Sequence, residues 1–152
     1  MASHDDATPE HVDEAIENGV TVAEFPTTIE AAKKAHDAGL SVLMGAPNLV
    51  LGGSHSGNVS AMDLARGGIL DILSSDYVPS SMVQGVFRLW RDGAAGSLPA
   101  AVATVSQTPA RVARLGDRGE IAVGKRADLV RVALKDDTPV IVGVWRAGTR
   151  II

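Results

Sequence analysis

Apolar and polar positions follow one order four times between residues 1 and 93: a short apolar run, a polar loop, a helix-periodic stretch and a closing glycine. In the first unit the run Ala2-Ser3-His4 is too short to judge as a strand. Thr8 caps the helix that follows, Pro9 fits its first turn, Val12, Ala15 and Ile16 form its apolar stripe, and Gly19 ends it. The second unit has a strand at Val20–Phe25 and a capping box Thr27-x-x-Glu30. Its helix runs through Ile29, Ala32 and Ala35 and stops at Gly39. The third has a strand at Leu40–Met44, a long polar loop at Gly45–Asn58, and a helix with Val59, Met62 and Ala65 that ends at Gly67-Gly68. The fourth has a strand at Ile69–Leu73. After Ser80 or Ser81, Val83, Val86, Phe87 and Trp90 recur at i, i+3, i+4 and i+7, so they are expected in the core, and Gly93 closes the unit.

Ser97 to Leu115 reads as helix, interrupted at Thr108-Pro109. From Gly119 the period changes to short strands at Glu120–Val123, Ala127–Val132, Val140–Trp145 and Thr149–Ile152. Gly124-Lys125 and Asp136-Asp137-Thr138-Pro139 supply turns. Repeated strand–helix units imply parallel strands flanked by helices, and continuous apolar runs are what buried parallel strands show. A doubly wound sheet and part of a (β/α)8 barrel both fit. The β-rich end adds a small appendage.

Composition narrows the function. The 152 residues carry 14 Lys+Arg against 18 Asp+Glu, a net charge of -4, which argues against nucleic acid as a partner. There is no Cys, so disulfides, thiolate catalysis and Cys-ligated metal centres are excluded. Apolar runs such as Ser41–Ala46 stop at Pro47-Asn48, well short of the ~20 residues that cross a bilayer. The N-terminal residues show no signal-peptide pattern, and a cytoplasmic protein is the expectation.

The chemistry-bearing residues collect where strands end. His4-Asp5-Asp6, Glu24, Asn48, His55 and Asp76 all sit at or just beyond C-terminal strand ends, the face that holds the active site in a barrel. His4 is either part of a surface turn or a metal ligand oriented by a neighbouring carboxylate. Asp76 is either a turn cap or a carboxylate that binds metal and takes a proton from water. Gly52-Gly53-Ser54-His55-Ser56-Gly57-Asn58 can surround an anion with N–H and hydroxyl groups, or it is a flexible loop. It matches neither the nucleophile elbow nor the P-loop. His11 and His36 fall within helix patterns as solvent-facing or packing residues, and Lys33-Lys34 is a solvated helix face.

Five blocks then resemble one family in order: His4-Asp5-Asp6, Glu24-Phe25-Pro26-Thr27, Met44-Gly45-Ala46-Pro47-Asn48, Gly52–Asn58, and Asp71-Ile72-Leu73-Ser74-Ser75-Asp76-Tyr77-Val78-Pro79. They are similar to the diphosphatase branch of the amidohydrolase superfamily that acts on alpha-D-ribose 1-methylphosphonate 5-triphosphate. Gly119–Val130 is similar to the superfamily's C-terminal signature. The resemblance runs over essentially the whole chain but covers only the family's C-terminal part.

It implies an α/β fold: the C-terminal half of a (β/α)8 barrel, with four βα units over residues 1–115, and a small β-sandwich segment over 116–152. It implies a metal-dependent hydrolase of phosphonate metabolism that releases pyrophosphate from a phosphorylated sugar. His4 and Asp76 would be metal ligands, Asp76 also the catalytic base, and Ser54, His55, Ser56 and Asn58 the substrate-binding residues, with a divalent metal, zinc, as cofactor. The superfamily's His-x-His pair is absent here, and one histidine plus one carboxylate fall short of the three protein ligands of a catalytic site. The chain is therefore expected to be a fragment, inactive alone, that forms a homo-oligomer or joins a second chain carrying the missing half. The alternative is a non-catalytic half-barrel or anion-binding assembly subunit.

Overall fold

The computed structural model describes residues 1–53 and 57–152. Four short strands, β1 (Ala2–His4), β2 (Val22–Glu24), β3 (Ser41–Gly45) and β4 (Ile72–Ser74), form one parallel sheet in sequential order. The register is continuous: His4 lies beside Glu24, Glu24 beside Leu43, and Leu43 beside Ile72. Helices α1 (Pro9–Glu17), α2 (Ile29–Asp37), α3 (Ala46–Leu51), α4 (Ala61–Arg66) and α5 (Ser81–Arg91) connect and follow the strands. The core lies between sheet and helices, with Ala23, Val42, Met44 and Leu73 from the strands meeting Val12, Ala32, Leu64, Val86 and Leu89 from the helices. Alanines at 31, 32 and 35 are fully buried, so α2 packs close to the sheet.

Thr8 caps α1 as expected, its side chain accepting from His11 N–H. In α2 the cap is Thr28, not Thr27: Thr28 Oγ1 accepts from Ala31 N–H at 3.1 Å. Thr27 N–H instead donates to the Asp6 carbonyl at 2.9 Å, which ties the loop after β1 to the start of α2. The stretch expected as one long loop contains α3. Pro47 sits in its first turn, and Gly52 closes it at φ 84°.

Helix α5 forms where expected but is turned. Gly85, Val86 and Leu89 are buried, whereas Trp90 is exposed and Phe87 half-buried. Phe87 and Trp90 pack edge to face at 5.9 Å, and Arg91 lies over Phe87 and donates to the Asp137 carbonyl at 2.6 Å. That face of α5 meets the C-terminal strands, so its aromatics serve a second contact.

The later helices are α6 (Leu98–Ala103), capped by Ser97, and α7 (Gln107–Val112). The break falls at 104–106 rather than at Thr108-Pro109. Pro109 lies in the first turn of α7, where its missing N–H costs no helix bond. Thr104 accepts a hydrogen bond from Leu73 N–H at 3.1 Å on the outer edge of β4.

A second, antiparallel sheet contains β5 (Leu129–Lys135), β6 (Thr138–Arg146) and β7 (Thr149–Arg150). Asp136 and Asp137 both take positive φ in the two-residue turn between β5 and β6, as a primed hairpin turn requires. Glu120–Val123 forms no strand, and Ile121 and Val123 are exposed. Asp128 anchors the next turn by accepting from Ala147 N–H at 2.8 Å. That bond, followed by Arg126 and Arg118, holds the Asp128 carboxyl below the usual carboxylate range. Among the described residues, no helix is long and apolar enough to cross a membrane.

Candidate functional site

The C-terminal ends of the parallel strands carry three non-glycine residues in the left-handed region: Asp5 at φ 58°, Phe25 at φ 53° and Asp76 at φ 47°. Such positions cost of order 1–3 kcal/mol each and concentrate at functional sites. At Asp5 and Phe25 they persist because the sheet bonding continues through them. Asp5 N–H donates to the Glu24 carbonyl at 3.0 Å, and Phe25 N–H to the Leu43 carbonyl at 2.9 Å.

Beyond these ends lies a cavity of about 290 Å³ whose wall includes Asp5, Phe25, Gly45, Asn58, Asp76 and Tyr77. Asp76 leans over the end of β3. A Cβ built on Gly45 would stand 3.0 Å from Asp76 Oδ2 and 3.3 Å from its Cβ, so glycine at 45 makes room for that carboxylate. Gly45→Ala is expected to displace the Asp76 carboxylate by a few tenths of an ångström. In a catalytic role that shift lowers turnover by about tenfold, with little change in melting temperature. Steady-state kinetics beside a thermal melt checks it.

The other sequence-derived candidates take different places. His4 ends β1 with its side chain 57% exposed, its Nδ1 3.2 Å from Asp5 Oδ2, and its ring edge-on to Phe25 at 5.4 Å. It does not line the cavity. β1 and β4 are the outer strands of the sheet, so His4 and Asp76 lie on one rim but three strand spacings apart, roughly 14 Å along the sheet. Asn58 is on the cavity wall. Ser54, His55 and Ser56 lie outside the described residues. Asn48 is also on the cavity wall, and its Oδ1 accepts from Ala61 N–H at 2.9 Å, joining α3 to the start of α4. Asp6 is buried and accepts from Ser3 Oγ at 2.5 Å.

Phe25 and Tyr77 are cavity residues that pattern alone does not single out, since an aromatic at a strand end reads equally as core. Asp5 is visible in the sequence only as a neighbour of His4. Its left-handed backbone, which aspartate tolerates better than most residues, turns it toward the cleft that Asp76 shares.

The amidohydrolase family model matches residues 2–151. The chain belongs to the amidohydrolase family. It is 53% identical over 152 residues to an alpha-D-ribose 1-methylphosphonate 5-triphosphate diphosphatase of Escherichia coli (strain K12), covering 99% of this chain and 40% of that protein. Two solved structures share the fold across 99% of this chain. One is an uncharacterized protein with a TM-score of 0.69 at 21% identity, of which 45% is covered. The other is a prolidase complexed with N-methylphosphonate-L-proline, with a TM-score of 0.67 at 22% identity, of which 44% is covered. The four-stranded parallel sheet is consistent with part of an amidohydrolase barrel.

Amidohydrolase family members typically use divalent metal ions. Among the described residues, no three His, Asp or Glu side chains stand together as metal ligands. Asp5 and Asp76 share the cavity wall while His4 is not part of it, so the donors described here do not fit a complete metal site. No lysine or arginine lines this cavity among the described residues, so its charged wall is acidic.

Proposed function

We propose that this chain supplies one part of the catalytic rim of a hydrolase that cleaves the triphosphate of alpha-D-ribose 1-methylphosphonate 5-triphosphate in phosphonate metabolism. Water adds to the phosphorus that stays on the sugar, the bridging anhydride bond breaks, and pyrophosphate leaves. The observation that carries the reading is the 53% identity to a protein named for that activity, sustained over 99% of this chain. The left-handed Asp76 beside Gly45 supports it, since both lie in blocks that resemble the family.

In this reading Asp76 holds and deprotonates the attacking water, and Asn58 orients a phosphate oxygen. Ser54, His55 and Ser56 complete the contact to the phosphates. The metal-ligand roles expected for His4 and Asp76 are not carried into this reading, because the two lie roughly 14 Å apart along the sheet and His4 is off the cavity wall. An acidic wall repels a polyphosphate, so the assembled enzyme needs positive charge beyond what the described residues place there. The parallel-sheet units then form half of a (β/α)8 barrel over 1–115, and residues 116–152 form one layer of a sandwich.

Pyrophosphate release tests this. The 152-residue chain alone is expected to release none above background. The same chain joined or mixed with the remaining strands of the barrel is expected to release it in stoichiometric yield from the ribose triphosphate. No release by the complete assembly sinks the proposal, and full activity of the chain alone sinks the division of the site.

A further inference from the structure

At the other end of the parallel sheet, where the strands begin, the chain builds a second polar cleft. Thr21, His36, Ser41, Asp71, Arg111 and Arg114 line a cavity of about 390 Å³. Arg111 and Arg114 also border an adjoining groove with Arg118 and Lys125. Among the described residues the latter two are engaged, Arg118 with Asp117 and Asp128, and Lys125 with Glu120. Arg111 and Arg114 have no carboxylate within ion-pair distance among the described residues. Two unneutralised guanidinium groups thus face one cleft in a chain of net charge -4.

The histidine is held in place. His36 Nδ1 lies 3.3 Å from Asp71 Oδ2, and the same oxygen accepts from Val42 N–H at 2.8 Å. Among the described residues the one carboxylate on the wall is therefore occupied, and the imidazole keeps Nε2 for another partner.

Arg114 carries the strongest sign. Helices α1, α2, α4 and α7 all end in the same paired turn. In α7, Arg114 N–H donates to the Arg111 carbonyl and Leu115 N–H to the Ala110 carbonyl. The left-handed position of this turn is ordinarily glycine, and α1, α2 and α4 have Gly19, Gly39 and Gly68 there, at φ 70°, 86° and 70°. In α7 it is Arg114, at φ 58°. A long charged side chain stands where the backbone favours none.

We propose that this cleft binds a phosphate-bearing small anion, at a site separate from the strand-end cavity. Two planar guanidinium groups match the several oxygens of a phosphate dianion better than the two oxygens of a carboxylate. Ser41 adds a hydroxyl donor, whereas the Thr21 hydroxyl donates to the Met1 carbonyl at 3.5 Å. The volume suits a diphosphate or a small phosphate monoester. The inference is independent of the reaction proposed above.

Calorimetric titration of the 152-residue protein with inorganic diphosphate, against sodium chloride at matched ionic strength, tests it. Arg111→Gln is expected to raise Kd about tenfold. Arg114→Gly is expected to raise the melting temperature, because glycine relieves the left-handed backbone, and yet to weaken binding about tenfold. A merely structural Arg114 cannot give that pair of results. Hydrogen exchange at saturating diphosphate is expected to protect residues 36–42 and 107–115, and Asp76→Asn to leave that protection unchanged. Unchanged affinity in both arginine variants, or protection confined to the strand-end cavity, overturns the proposal.

Discussion

Asp76→Asn in the assembled enzyme is expected to lower kcat by about 10²–10⁴-fold while moving the melting temperature by less than about 2 °C. The two effects separate for physical reasons. Asp76 sits at φ 47°, and asparagine enters the left-handed region as readily as aspartate. Among the described residues, its only hydrogen bond runs from Ser75 Oγ to its backbone carbonyl at 3.5 Å, which the substitution keeps. Its carboxylate is beside Gly45, where an amide of the same size fits. What is lost is the negative charge and the basic oxygen that would take a proton from water. Activity and melting temperature falling together would mark Asp76 as a structural residue of the strand-end turn. Unchanged turnover would remove it from the chemistry.

The elements legible in the sequence are those whose signals are local. Thr8-Pro9 and Gly19 bracket α1 because a cap, a first-turn proline and a left-handed glycine each act within one turn. The differences share another cause. Thr27 and Thr28 are chemically equivalent caps one residue apart, and what decides between them is the Asp6 carbonyl, 21 residues away, which takes the Thr27 N–H. Helix α5 has two apolar faces. Periodicity picks out the stripe of Val83, Val86, Phe87 and Trp90, whereas the buried face holds Gly85, Val86 and Leu89, and the aromatic side lies toward the hairpin that Arg91 meets at Asp137. Glu120–Val123 has the composition of a strand and no neighbour to bond, so it stays irregular.

The site divides in the same way. That polar residues gather at strand ends follows from the strand–helix order alone, and the parallel sheet puts His4 and Asp76 on one rim. Which of them face a common space does not follow. Single left-handed residues at 5, 25 and 76 redirect side chains after the strands stop, and alternation says nothing past that point. Asn48 shows the converse. It reads from the sequence as a strand-end candidate and does line the cavity, yet its Oδ1 is also occupied in joining α3 to α4, a tie that no local pattern predicts.

The isolated chain is expected to self-associate at low micromolar concentration, through its C-terminal sheet. Read from the sequence, the bare apolar surface lies on the inner face of the parallel strands. The structure covers part of that face, with Ile72 buried and Val22 and Leu43 half-buried, and leaves more exposed apolar surface on the second sheet. On β5, Val130, Val132 and Leu134 alternate onto one face, opposite Val144, Ile141 and Pro139 of β6. The register shift after Arg131 leaves Val142 as the extra residue of a bulge and keeps the apolar positions on that face. Val130 is 56% exposed, Leu134 49% and Ile141 46%, and Ile151, whose N–H reaches the Val144 carbonyl, is 59% exposed. Burying each such side chain fully would contribute roughly 1.5–3 kcal/mol, so covering several together rivals the ~5–15 kcal/mol that holds an average domain folded. A strand layer from outside the chain would cover this face in the assembled enzyme. Without it, a second copy is the nearest apolar surface. Sedimentation velocity is expected to show species larger than a monomer. A triple variant, Val130→Thr, Leu134→Thr and Ile141→Thr, is expected to return the monomer, because threonine keeps strand propensity while removing apolar area. Oligomers that persist in the triple variant would move the interface to the open edge of β1. A wild-type chain that sediments as a monomer throughout would show that the exposed sheet face does not drive association.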